Sequence, residues 1–143
     1  MKKSVKLISL FFVFLFTISC CYPAKRIAYY TNKKNYITTK GTITSITFND
    51  NNDMLFLSVD NMNQQYSDNY FKIIPENLTI AKCNGIESKI HIGDTIVFIS
   101  AQRYFGDGYI MPILALSIDK DTFLTFEEGY SNYIKWLIRH PYG

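Results

Sequence analysis

Between Gly41 and Ser117 the chain alternates short β-branched or aromatic runs with polar, glycine- or proline-bearing breaks. That rhythm, more than any other feature, restricts what the chain can fold into, because runs of this kind read as strands and their breaks as turns. The first run is Gly41-Thr-Ile-Thr-Ser-Ile-Thr-Phe48, with Ile43, Ile46 and Phe48 as inward candidates. The step of three from Ile43 to Ile46 breaks strict alternation and predicts a bulge. Asn49–Asp53 is a polar turn, and Met54–Val59 returns with Leu55, Leu57 and Val59 on one face, completing a hairpin. Tyr66–Ile74 makes a third strand, stopped by Pro75, and Leu78–Ala81 is a short apolar piece in a loop-rich stretch. Ile90–Ile99 has the densest apolar pattern, with an entry turn at Gly93-Asp94, and runs on to about Arg103. Phe105-Gly-Asp-Gly108 predicts a hairpin turn whose glycines accept positive φ. Tyr109–Ser117 then returns, with Pro112 marking an edge position or a bulge.

The period then changes. Tyr130, Tyr133, Ile134, Leu137 and Ile138 stand at i, i+3, i+4, i+7 and i+8, the pattern of an amphipathic helix, with Trp136 off the centre of the stripe. Thr125-Phe-Glu-Glu128 is a capping box that starts this helix, and His140-Pro141 ends it. The expected class is mainly β, with five strands and one C-terminal helix. The bulged first strand opening on glycine, and Ile90-His-Ile-Gly-Asp-Thr-Ile96 before the last hairpin, resemble a small oligomer-binding (OB) fold barrel over about Gly41–Asp119. An open β-sandwich is the alternative.

The amino terminus has a different logic. Lys2, Lys3 and Lys6 precede a nearly unbroken apolar run, Leu7–Ile18, followed by Ser19 and Cys20. A membrane span needs roughly 20 apolar residues, so this shorter run reads as an export signal. Thr17-Ile18-Ser19-Cys20 resembles the lipobox of bacterial lipoproteins. The resemblance implies a cut before Cys20 and a lipid on its thiol, although Thr17 stands where that family prefers leucine. The same residues suit a general signal peptidase, which would release a secreted soluble protein. The chain divides on this basis into a signal peptide (1–19), a lipidated cysteine with a basic tether (20–40) and a barrel domain with its helix (41–143).

Charge follows the same division. The formal net charge is +3, with 15 basic and 12 acidic residues, but three of the lysines lie in the signal. Lys25, Arg26, Lys33, Lys34 and Lys40 occupy residues 20–40 with no acid among them, while the body carries every acid and is net negative. Nucleic-acid affinity comes mainly from neutralising phosphates, so no nucleic-acid partner is expected for such a body. A basic tether beside a lipidated cysteine suits anionic headgroups, at about 1 kcal/mol per cation near the surface.

Catalytic patterns are missing from the sequence. There is no phosphate-cradling glycine loop, no zinc-type cluster and no nucleophile elbow, so neither catalytic residues, a metal nor a cofactor is expected. Asn49–Asp53 lacks the spaced ligands of a helix-flanked calcium loop. Cys21 and Cys83 are the candidates for a disulfide in an oxidising compartment. Cys83 as a nucleophile would need His91 or His140 as its base, and no local motif accompanies them. The candidate ligand face is aromatic: Tyr66, Tyr70, Arg103, Tyr104, Phe105 and Tyr109, on the third strand and around the last hairpin. Barrels resembling the OB fold bind ligands across such strands and loops, while ordinary core and edge packing accounts for the same aromatics. The expectation is a non-enzymatic, membrane-anchored binding or interaction module of the bacterial cell envelope, facing the periplasm or the exterior. Its partners would be the membrane, through the lipid on Cys20, and an envelope protein or small ligand. The alternative is a structural or maintenance subunit of an envelope complex.

Overall fold

The structure, a computed structural model, describes residues 21–61, 70–102, 105 and 110–141. Six strands are present: β1 (Tyr36–Phe48), β2 (Leu55–Asn61), β3 (Tyr70–Ile73), β4 (Thr95–Ala101), β5 (Met111–Ile118) and β6 (Asp121–Leu124). Helices are α1 (21–31), α2 (Pro75–Cys83) and α3 (Phe126–Arg139).

β1 is long enough to pair with β2 through its second half and with β4 through its first, both antiparallel. β2 pairs with β3, and β4 with β5, again antiparallel. A parallel pairing of Phe71 with Met111 and Lys72 with Pro112 joins β3 to β5. That last pairing closes five strands into a barrel, so the open sandwich is not formed. β6 extends the sheet beyond β5. The expected bulge is present as a register shift between Ile43 and Ser45. Gly41 lies where β1 runs tightly against β2: a Cβ there would sit 2.7 Å from the Asp60 carbonyl oxygen.

The barrel interior is apolar. Leu55, Leu57 and Val59 of β2 alternate inward as their spacing predicts, and Phe71 meets Phe98 edge to face at 4.7 Å. α2 closes one end with Leu78 and Ala81, a helix where the sequence suggests only a loop-rich stretch. It begins at Pro75, where the missing N–H is harmless. It buries Asn77, whose Nδ2 donates to the Gly129 carbonyl at 3.1 Å, a polar residue that breaks the apolar period. β6 is likewise unforeseen; two of its four residues, Phe123 and Leu124, are buried. The strand expected over Ile90–Ile99 starts only at Thr95, since Gly93, at φ 96°, turns the chain just before it. The Asn49–Asp53 turn is closed by its own side chains, Asn49 Oδ1 accepting from the Asp53 and Met54 amides at 3.0 Å.

A second apolar cluster lies outside the barrel, where α1 and α3 pack together over β5. It contains Tyr30, Leu114, Tyr133, Trp136 and Leu137, with Ile27, Tyr29 and Phe105 against it. The stretch expected to be a tether is therefore structured: α1, a 3-10 turn over Lys33–Asn35, then β1 from Tyr36 rather than Gly41. α3 lies where its period predicts, but its buried face is Gly129, Tyr133, Trp136 and Leu137, and Ile138 is 60% exposed. Thr125 is the N-cap, and its hydroxyl bonds the Glu128 carboxylate directly.

Candidate binding face

Alternation fixes what each strand offers to the outside of the barrel. On β3, Phe71 and Ile73 are buried and Tyr70 and Lys72 point outward. On β2 the corresponding outward residues are Phe56 and Ser58, between the buried Leu55, Leu57 and Val59. Register places Phe56 opposite Lys72 and Ser58 opposite Tyr70. Thr47 and Ser45 of β1 continue the row beyond Phe56 and Ser58. The result is one outward face of mixed aromatic, hydroxyl and cationic groups, with Tyr70 57% exposed.

Lys72 is the unusual member. Its Nζ lies 4.8 Å from the centroid of the Trp136 ring, a cation–π contact with α3. No carboxylate among the described residues pairs with it. Burial of its ammonium, and then the positive charge of Arg26, lower its pKa from the ordinary lysine value. A partly desolvated cation next to a second cation gains from any anionic group that reaches it. Arg26 is itself 5% exposed and donates through Nη1 to the carbonyls of His140 and Pro141, at 3.1 and 2.9 Å. These are carbonyls at the end of α3, where positive charge is favoured.

The other expected site residues divide sharply. Cys20, Tyr66, Arg103, Tyr104 and Tyr109 lie outside the described residues. Phe105 is half-buried and stacks on Tyr29 at 5.4 Å and against Tyr22 at 5.9 Å. It packs against α1, so it does not share the outward face with Tyr70. Cys21 and Cys83 are both free and exposed. His91 lies 3.5 Å from Asp94, and His140 stacks on Trp136 at 4.8 Å, with Nδ1 2.9 Å from the Trp136 carbonyl oxygen. Neither ring contact involves Cys83. No group of three or more His, Cys, Asp and Glu side chains gathers as a metal site among the described residues.

Lys72, Phe56 and Ser58 were readable only as outward positions of alternating strands; Trp136 was hidden by its place off the apolar stripe. Among the described residues, no helix is long and apolar enough to cross a membrane. No family model matches the chain, and no curated protein matches it in sequence.

Proposed function

We propose that the protein is a lipid-anchored, non-catalytic binding module of the bacterial cell envelope. The observation that carries this reading is the N-terminal one: three lysines, an apolar run too short to span a bilayer, and Thr17-Ile18-Ser19-Cys20. The closed barrel with an outward face of Phe56, Ser58, Tyr70 and Lys72 supports a binding role, because it offers flat aromatic surface beside a cation that lacks a carboxylate partner among the described residues. The ligand group best suited to that face is an anion carried on a ring or planar frame, such as the carboxylate of a peptide or a phosphorylated sugar.

Intact-mass measurement of membrane-extracted protein tests the anchor. Residues 1–19 should be gone and an acyl-glyceryl mass should sit on Cys20, while Cys20→Ala should give an uncleaved or soluble chain. Unchanged membrane attachment of that variant, with the signal removed, would count against lipidation. Capture from detergent extract tests the binding role. A bound ligand or protein that is lost in Tyr70→Ala and Lys72→Gln places recognition on the outward face of β2 and β3. A stoichiometric protein partner indifferent to both substitutions favours a structural subunit instead.

A further inference from the structure

Helices α1 and α3 run antiparallel, and their contacts fix which end of the molecule the anchor occupies. Arg26 meets the carbonyls of His140 and Pro141, Tyr30 packs edge to face on Tyr133 at 5.3 Å, and Tyr130 donates to the Thr31 carbonyl at 2.7 Å. Beyond them, Lys33 pairs with Glu127 at 2.9 Å. The amino end of α1 therefore lies at the carboxyl end of α3. Cys20 immediately precedes the first described residue of α1, so the anchor belongs to that end as well.

Charge and apolar surface collect there. Lys25 is exposed, Arg26 and Lys72 lie just beneath, and Arg139 is exposed in the last turn of α3. Among the described residues, these contacts bring one carboxylate to the same end, Glu76, already paired with Arg139. Ile138, the most exposed hydrophobic side chain of α3 at 60%, stands next to Arg139. At the opposite end, Lys33 pairs with Glu127, and Glu128 adds a second acid in the first turn of α3.

We propose that this basic end, formed by the start of α1 and the last turn of α3, docks on anionic lipid headgroups and holds the barrel directly on the bilayer. The proposal rests on the reading that Cys20 carries the lipid. Six residues of helix rise about 9 Å, so the level of Arg26 stands within about one Debye length of an anchor at Cys20. The end of α1 at Thr31 lies about 16 Å along the same axis, beyond that reach. Each cation near an anionic surface favours the docked state about fivefold. Because α1 is packed into the second apolar cluster through Tyr30, the barrel cannot swing freely about the anchor.

The chain's single tryptophan, Trp136, reports on this end. Mature lipidated protein is placed on vesicles of phosphatidylcholine alone, or of equal parts phosphatidylcholine and phosphatidylglycerol, each containing dansyl-headgroup lipid. Energy transfer from Trp136 to dansyl should be greater on the anionic vesicles. It should fall as salt rises from about 0.01 M to about 1 M, where the Debye length contracts from about 30 Å to about 3 Å. Lys25→Gln with Arg139→Gln should reduce transfer to the neutral-vesicle level, and Lys25→Gln alone should reduce it in part. Lys33→Gln with Lys34→Gln removes equal charge from the other end and should leave transfer unchanged. Equal losses from the two double variants, or transfer that ignores lipid charge, would overturn the docking. Intact mass on the same samples separates the premises. A lipidated Cys20 with charge-blind transfer defeats the docking alone, whereas a chain without lipid defeats the anchor and the docking together.

Discussion

Gly129 shows how one atom sets the spacing of two elements. It sits on the buried face of α3 directly over β5, and a Cβ there would overlap the Leu114 carbonyl oxygen and stand 2.7 Å from its carbon. Glycine disfavours a helix interior by about 1 kcal/mol relative to alanine, so on propensity alone Gly129→Ala should stabilise. Overpacking a close contact costs roughly 1–3 kcal/mol, and here the obstacle is backbone, which cannot rotate away. Gly129→Ala is therefore expected to lose stability in urea unfolding despite its better propensity, and a variant more stable than the parent would mean that α3 stands off β5. Burial acts on titration at Tyr36 and Tyr133 in the same cluster. Burial first, then neighbouring phenols (Tyr30 foremost), raises both hydroxyls above the ordinary 10.0. The folded state thus keeps protons that the unfolded state gives up above that value. Their contribution is complete below pH 10 and is lost as pH rises beyond it. Lys72 has the opposite sign: its pKa is lowered from 10.5, so its penalty eases as pH climbs through the lowered value. Unfolding free energy against pH should hold or rise slightly toward pH 10 and then fall, and Tyr36→Phe should flatten the fall. That variant also removes the 2.8 Å bond to the Tyr30 carbonyl, worth about 1 kcal/mol at every pH.

Between elements, α3 separates what the sequence shows from what it conceals. Its existence and its limits follow from the apolar period, from Thr125 and from His140-Pro141. Its rotation does not, because the buried face begins at Gly129, which carries no side chain to count, and continues through Tyr133, Trp136 and Leu137. The apparent stripe ending in Ile138 is displaced by about one residue from the real one. Leu137→Ala should cost roughly 2–5 kcal/mol, whereas Ile138→Ala, at an exposed position, should stay within about 0.5 kcal/mol. Comparable losses for the two would restore the sequence-derived stripe and rotate the helix. The barrel strands were legible for the converse reason: Leu55, Leu57, Val59, Ile96 and Phe98 each obey the period of two and each is buried. α2 escaped because its buried face includes Asn77, and α1 because its includes Arg26. An apolar pattern does not score buried polar groups whose partners come from distant chain, here Gly129 and the carbonyls of His140 and Pro141. The outward face was only half legible for the same reason. Tyr70 announced itself as an aromatic, but Lys72 gained its character from Trp136, 64 residues away in sequence.

For the whole molecule, the consequential fact is that the segment following Cys20 in the chain belongs to the fold. A solvated tether could be shortened without effect on stability. α1 instead contributes Tyr30, 1% exposed and in edge contact with both Tyr29 and Tyr133, and Arg26 on the last carbonyls of α3. Truncating a buried aromatic side chain costs roughly 3–5 kcal/mol, a large part of the 5–15 kcal/mol that holds a domain together. Removing the helix also takes from Tyr133 and Leu137 the Tyr30 and Ile27 side chains that share their cluster. A chain beginning at Asn32 should therefore melt lower than the mature chain by roughly 10 °C or more, and Tyr30→Ala in the otherwise intact chain should reproduce most of that shift. The comparison is made on soluble protein bearing Cys20→Ala, so that lipid plays no part in it. Equal melting temperatures for the truncated and mature chains would return residues 21–31 to the status of a linker, and the barrel would then be free to move away from the proposed anchor at Cys20. A large difference has a consequence for the proposed anchor: a protease that severs the chain within α1 would leave a weakened barrel rather than an intact domain, so that an attachment at Cys20 and the fold would be lost together.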